Sequence, residues 1–591
     1  MKLLQQRKKE QEMAKRNGAM REESEEEKWV HDESVDYKGK VPLRSSTGVW
    51  KASLFVLTIE FSERVCYFGL ATNLITYLTK VIHEDLKTAT KNVNYWVGTT
   101  TMMPLLGGFV ADAYTGRFPM VLFSAFVYIM GLSLLTMSQF IPSLKPCNMK
   151  ICPKSRKVHE VIFFLALSHI SLGTGGYKPC LESFGADQFD DDHSEERKKK
   201  MSFFNWWNFA LCFALLLGAT VIVYIEENVS WGVAALILTI LMALTIIAFN
   251  VGKPFYRYRR PEGNPLKPIF QVIVAAIRKR NLSCPNPELL YEVPKSEKSQ
   301  GRLLSHTSQH RFLDKAAIIE DKYVEQKNNP WRLTTVTRVE ETKLVLNLIP
   351  IWLSSLTAGI CIAQGSTLFV KQAASMNLKL SHNFTIPAAS ISSAAAIGTL
   401  ICVPIYDKIV VPILRRVTGN ERGISILQRI GIGQTFSIIV MIVAALVEAK
   451  RIRMVPNSNT MSVSWLIPQY MLLGFADSFS LVGLQEYFYD QVPDSMRSLG
   501  MALYLSVIGV GSFLSSFIIF VVDHVTEKNG NSWIGKDISS SHLDKYYWML
   551  AIINALNLCV YVLLAKNYTY KNVQRREMEH GGCSDELEIV P

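Results

Sequence analysis

Apolar residues in this sequence gather into twelve runs of roughly 20–30 positions, each long enough to cross a bilayer as a helix. The runs predict spans near 52–81, 93–113, 118–141, 158–180, 202–225, 230–252, 343–370, 385–406, 424–448, 463–488, 498–522 and 545–566. A polar stretch at 253–342 divides them into two sets of six. Five segments follow: a hydrophilic tail at 1–50 expected to be disordered, a six-helix bundle at 51–252, a central loop at 253–342, a second bundle at 343–566 and a tail at 567–591. Within the central loop, 265–280 reads as an amphipathic helix with a basic end, suited to a membrane surface, and 294–310 is polar enough to be expected disordered.

Composition agrees with an all-α integral membrane protein: 49% of the 591 residues are hydrophobic and 19% charged. Two six-helix halves are the plan of the major facilitator fold. The net charge of +12 sits in loops, so it reads as orientation signal and lipid contact rather than as a nucleic-acid surface. Arg197 to Lys200, the central loop, Lys408, Arg415 and Arg416 fall on one side, which places both termini in the cytoplasm. The basic connection at 142–157 votes the other way and is outweighed. That connection also holds Cys147 and Cys152, either a disulfide or a free pair.

The first span is not wholly apolar. It contains Glu60-Phe61-Ser62-Glu63-Arg64-Val65-Cys66-Tyr67 near its middle, about 14–20 Å deep by helical rise. Glu60, Glu63, Arg64 and Tyr67 recur at helical spacing and predict one stripe facing a central cavity. Charges in hydrocarbon are costly and usually mark function. Arg64 is permanently charged, so the two acids leave one net negative charge that a single proton cancels. The alternative is an inert ion triad that only fixes helix packing.

Lys178 lies about as far into the fourth span as Glu486 into the tenth, roughly 30 Å from the helix starts. If the halves are related by pseudo-symmetry, the two are expected to face one another as a gating salt bridge that an anionic substrate breaks. The opposing view is a pair of interfacial charges reaching for water. Asp477, earlier in the tenth span, has no evident partner in the sequence. Gly107 to Phe118 closes the second span with Gly108-x-x-x-Asp112 and Gly116-Arg117; Asp112 and Arg117 can cap or bridge helix ends and hold one conformation together.

These residues resemble a known family. Glu60-x-x-Glu63-Arg64 is similar to the Glu-x-x-Glu-Arg motif of proton-dependent oligopeptide transporters, and Phe184-Gly185-Ala186-Asp187-Gln188-Phe189 to their second signature. Phe203-Phe204-Asn205-Trp206-Trp207 resembles the aromatic run that follows it. Arg311-Phe312-Leu313-Asp314-Lys315-Ala316-Ala317 and Trp331-Arg332-Leu333-Thr334-Thr335-Val336-Thr337 resemble the plant nitrate transporter 1/peptide transporter branch. The likeness runs from about Val41 to Asn572.

The resemblance implies proton symport of a small anionic or zwitterionic solute such as nitrate, a di- or tripeptide or a plant metabolite. Glu60, Glu63 and Arg64 would couple protons. Arg64, Tyr67, Lys178 and Glu486 would contact the solute, and Asp112, Arg117, Lys178 and Glu486 would gate. No cofactor beyond the proton, no metal and no catalytic residue are implied. The expected partners are the solute, protons and lipid, with a monomer expected and a dimer left open. The plasma membrane and the vacuolar membrane both fit. Val65 replaces the usual aromatic, and Phe68 stands where a second tyrosine is common. Ile362 occupies the place of a helix-seven histidine that can serve nitrate recognition, so that route to nitrate is missing. A non-transporting receptor that keeps the fold is the second reading. An enzyme is disfavoured because no nucleotide loop, His-Glu-x-x-His or nucleophile elbow is present.

Overall fold

The computed structural model describes residues 28–570 apart from short breaks, the longest at 147–155, 292–303 and 320–328. The first bundle comprises α1 (Val49–Lys80), α2 (Leu86–Val110), α3 (Arg117–Phe140), α4 (Lys157–Ala186), α5 (Ser194–Leu217) and α6 (Trp231–Val251). The second comprises α7 (Val336–Gly365), α8 (Ser393–Ile405), α9 (Ile426–Met454), α10 (Ile467–Gln491), α11 (Arg497–Glu527) and α12 (Leu543–Lys566). A two-stranded ribbon, Lys379–Ser381 with Phe384–Thr385, lies between α7 and α8. Among the described residues, nine helices are apolar and long enough to cross a membrane by length and composition. The other three of the twelve are α1, α2 and α10. Polar side chains are tolerable there because protein and a cavity, rather than lipid, surround them.

Packing repeats between the bundles. α1 with α5, α1 with α6, α2 with α4, α3 with α4 and α3 with α6 are matched by α7 with α11, α7 with α12, α8 with α10, α9 with α10 and α9 with α12. The close pairings rest on missing side chains: a Cβ at Gly107 would lie 2.4 Å from the Gly175 carbonyl oxygen, and one at Gly474 2.1 Å from that of Ala395. Helix ends are handled locally. The Asp85 carboxylate accepts from the Thr88 amide to start α2, and the Thr335 hydroxyl accepts from Arg338 to start α7.

The expected disordered tail needs correcting in its second part; residues 1–27 lie outside those described. From Ser34 to Gly48 the chain is strapped to the first bundle, with Val35 and Tyr258 exchanging backbone hydrogen bonds. Arg44 pairs with Asp190 and Glu196 at 2.9 Å each. The fully buried Arg257 guanidinium meets Glu196 at 2.7 Å and donates to the Thr47 carbonyl at 3.0 Å. Gly48 makes the turn into α1 at φ +72, where a Cβ would strike Arg257. Polar sequence alone read as disorder because these partners are about 150–210 positions away.

The amphipathic helix forms over Lys267–Arg278, but not as a free surface helix. Val272, Ala275 and Ala276 pack on Leu313, Ala316, Ala317 and Val339, so protein takes up its apolar face. At the base of this unit Lys343 bonds Asp314 at 2.7 Å and Glu340 at 2.8 Å, and Thr307, inside the stretch expected to be disordered, donates to Glu340. His306, Asp314 and Glu340 have the spacing of a metal site, but the Lys343 ammonium already supplies a cation to both carboxylates. The Cys147 and Cys152 pairing lies outside the described residues.

Candidate functional site

A cavity of about 1030 Å³ lies between the bundles and opens at the end that carries Asp112, Arg117, Arg259 and Gly263. Its first wall comes from α1, α2, α4 and α5, and its second from α7, α8, α10 and α11. The opposite end is shut by contacts between the halves: Lys371 donates to Thr79, and Lys87 is ion-paired to Asp523.

The α1 stripe divides by depth. Arg64 and Tyr67 line the cavity, whereas Glu60 and Glu63 are 0% exposed and lie behind them. The expectation that all four face the cavity is therefore corrected. One stripe spans enough angle for its edge to turn into the bundle, and Arg64 is long enough to reach past its neighbours. Arg64 Nε donates to Glu60 Oε1 at 2.6 Å and stands 3.6 Å from Glu63 Oε2. The second oxygen of Glu60 and both oxygens of Glu63 have no hydrogen-bond donor among the described residues. One guanidinium, 12% exposed, thus touches the cavity on one side and two buried carboxyls on the other.

Lys178 reaches the cavity because α4 is stripped around it. Gly175 and Gly176 let α2 and α3 approach the backbone, leaving the lysine only one direction in which to extend. It is 6% exposed, and its ammonium lies 4.2 Å from the centroid of the Tyr67 ring, which stacks on Trp96. Such a desolvated cation–aromatic contact is worth about 2 kcal/mol.

The expected Lys178–Glu486 bridge is not formed. Glu486 does line the same cavity, but Arg429 of α9 holds it at 3.4 Å. Counting depth along two helices fixed their height and not the neighbour that would claim the acid. Asp477 faces the cavity one α10 segment deeper, with no hydrogen bond or ion pair among the described residues. Sequence reasoning passed over Glu182, which also lines the cavity. The signal was present, since Glu182 is one turn beyond Lys178 and so shares its helix face.

At the mouth, Arg117 bonds Asp187 at 2.5 Å and meets Asp112 at 3.4 Å, while Arg259 approaches Asp187 at 3.4 Å. These contacts bridge the ends of α2, α3 and α4 as expected of Asp112 and Arg117, yet Asp112, Arg117 and Asp187 belong to the first bundle and Arg259 to the segment that directly follows it, so none of them reaches the second bundle. A π turn at Ala111–Thr115 and the left-handed Gly116 at φ +80 aim Arg117 inward. The second signature is structural here: the Gln188 amide accepts from the Arg257 N–H at 2.8 Å and donates to the Arg257 carbonyl at 3.0 Å, anchoring the segment after α6. Of the departures, Phe68 and Ile362 line the cavity and make it more apolar, whereas Val65 is buried elsewhere.

Residues 118–541 match the family model described as the POT family. The chain is 59% identical over 554 residues to Protein NRT1/ PTR FAMILY 5.6 of Arabidopsis thaliana, covering 93% of this chain and 96% of that one. It is 56% identical over 561 residues to Protein NRT1/ PTR FAMILY 5.7 of the same plant, covering 93% of each. Among solved structures, an auto-inhibited POT family peptide transporter matches with a TM-score of 0.65 at 18% identity, over 90% of this chain and 99% of that one. A POT family transporter in complex with 5-aminolevulinic acid matches with a TM-score of 0.60 at 13% identity, over 87% and 96%. The structural likenesses establish the major facilitator fold.

Proposed function

This chain belongs to the POT family of membrane transporters, not enzymes, and on that premise we propose that it is a proton-coupled symporter of a small solute working by alternating access. One observation carries the reading: Arg64 is shared between the cavity and two fully buried carboxyls, only one of which it hydrogen-bonds. A guanidinium neutralises one carboxylate, so the other leaves an unpaired buried charge unless a proton neutralises it. A solute anion that draws on Arg64 competes with Glu60 and Glu63 for the same cation. Solute and proton are then favoured together, which is the thermodynamic content of symport.

Lys178 supplies a second anchor for an anionic group, and Tyr67 positions it. Asp112 and Arg117 stiffen the mouth within their own bundle rather than locking the bundles together. By the positive-inside rule the open end is cytoplasmic, together with both termini, so this is an inward-open state. The plasma membrane or the vacuolar membrane is its place, and no cofactor other than the proton is required.

The test is uptake by the full chain in proteoliposomes at mildly acid and neutral external pH, with Glu63→Gln alongside. Acid-driven accumulation is expected to fall at least about tenfold in the variant while solute binding to the purified protein persists. Equal accumulation at both pH values in the unaltered chain would falsify proton coupling. Binding without flux in either protein would instead identify a receptor.

A further inference from the structure

The shut end holds a carboxyl that the coupling scheme leaves unused. Glu226 lies in Val223–Asn228, the short helix leading toward α6, and is 4% exposed without lining the cavity. Its hydrogen-bond partner is Asn73 of α1, whose Nδ2 donates to Glu226 Oε2 at 2.9 Å. Asn73 is fully buried, and its Oδ1 has no donor among the described residues. No basic side chain among them pairs with Glu226. Lys80 holds Glu227 instead, at 3.2 Å, and Lys371 is within electrostatic reach of Glu227 too. Tyr77 of α1 bears on Glu226, but its hydroxyl is already bonded to His159 and Gln139. The other elements packed against Val223–Asn228 are Gly218–Ile222, α6 and Ala388–Ser392 of the second bundle, and none has a titratable side chain. Ala388–Ser392 also packs on α1, so the second bundle covers this corner. Within that turn Ser390 is buried, its hydroxyl without a partner among the described residues.

We propose that Glu226 is a gating proton site: the outer end shuts over Glu226 only when that carboxyl carries a proton taken from the outer side. A carboxylate walled off from water with one neutral amide as its donor is costly, whereas the neutral acid is tolerated. The proton also supplies the donor that Asn73 Oδ1 lacks, which completes a reciprocal acid–amide pair. When the halves part at this end, the turn at Ala388–Ser392 withdraws and water solvates the ionised form. Closing therefore takes up one proton, and opening returns it to the same side. Asn73 lies ten residues beyond Glu63 on α1, about 15 Å by helical rise, so this proton is separate from the one shared by Glu60 and Glu63. It sets how readily the gate shuts at a given outer pH, not how many protons accompany the solute. The inference rests on the alternating-access reading in taking this end as a gate.

Gate opening can be read without any solute. The full chain carrying Ser390→Cys is placed in proteoliposomes and treated from outside with a membrane-impermeant methanethiosulfonate, from mildly acid to mildly alkaline pH. The background from the native cysteines is subtracted. Dividing the rate with Glu226 present by the rate with Glu226→Gln added cancels the ionisation of the thiol itself. The ratio is expected to be about one in acid and to rise about tenfold toward alkaline pH, because only an ionised carboxyl resists closure. Glu226→Asp keeps the rise, and Glu63→Gln leaves it in place. The proposal is overturned if the ratio stays flat or if Glu63→Gln abolishes the rise. It is equally overturned if Glu226→Gln fails to fold, since the shut state has to tolerate this neutral isostere. A chain that gates in this way yet moves no solute would sink symport and leave the role of Glu226 standing.

Discussion

Two seams between the halves, α2 with α11 and α5 with α8, are equivalent under the six-helix repeat, yet one is zipped and the other barely touches. The zipped seam is built of small and polar residues. A Cβ at Gly98 would lie 2.7 Å from the Phe513 ring, and one at Gly509 2.8 Å from Thr101 Oγ1. Asn94 donates to Ser515 at 3.2 Å, and Lys87 meets Asp523. On α5 and α8, the helices of the loose seam, the side chains turned to the gap between the bundles, among them Phe204, Leu211, Leu215, Ala396 and Thr399, line the cavity instead of meeting one another. The difference teaches that symmetry of fold supplies two places to close, and side-chain size and polarity decide which one is shut. Under the alternating access proposed above, the loose seam closes when the zipped one parts.

The largest break in this contrast is Gly98→Leu, whose side chain has to displace the Phe513 ring. It should cost about 1–3 kcal/mol in thermal unfolding. A matched change on α8, a helix of the loose seam, Leu400→Ala, should move stability by less than about 0.5 kcal/mol because that side chain is already exposed. Equal losses from the two variants would refute the contrast.

A smaller effect is expected from Lys87→Glu, which places like charges at the shut end. The partly exposed pair is worth about 1 kcal/mol, so the outward-open population should rise about fivefold, read as faster modification of a cysteine introduced at Thr79. Adding Asp523→Lys should restore the original rate; if it does not, the pair is not the latch.

The subtlest test concerns Glu84, in the connection leading into α2. Burial pushes its carboxyl up to about 7, against two hydrogen bonds from Asn92 at 2.8 and 3.0 Å. A raised value means that the fold prefers the protonated acid. Its contribution is therefore fully present below the ordinary value near 4.5 and lost as pH rises through about 7. The melting temperature should decline across that window, and Glu84→Gln should flatten the decline. An unchanged slope would remove Glu84 from the shut end's pH response.

Most of the helical plan was legible because a bilayer-length apolar run admits few alternatives. What escaped was set by neighbours in space. Helix α7 begins at Val336 rather than near 343, since Lys343 and Glu340 find partners in the central segment. Helix α2 starts at Leu86, seven residues early, because Asp85 caps it in a polar stretch that hydropathy discounts. At the site, spacing put Glu60, Glu63, Arg64 and Tyr67 together correctly but could not say which of them saw the cavity. The Lys178–Glu486 match failed because Arg429, on a helix the pairing argument ignored, competes for the acid. Glu182 was readable from helical spacing alone and was missed.

The three helices too polar to qualify as membrane-crossing on their own impose an order on synthesis. α1 is made first of the twelve, and Glu60, Glu63 and Arg64 must enter the bilayer before the side chains that shelter them exist. At roughly 2.5–3.5 kcal/mol for each central charge, the segment is a poor candidate for insertion by itself. It has to linger at the membrane surface or the insertion machinery until α4, α5 and α6 arrive to enclose it. The residues to which the proposed transport role falls would thus also set the schedule by which the protein assembles.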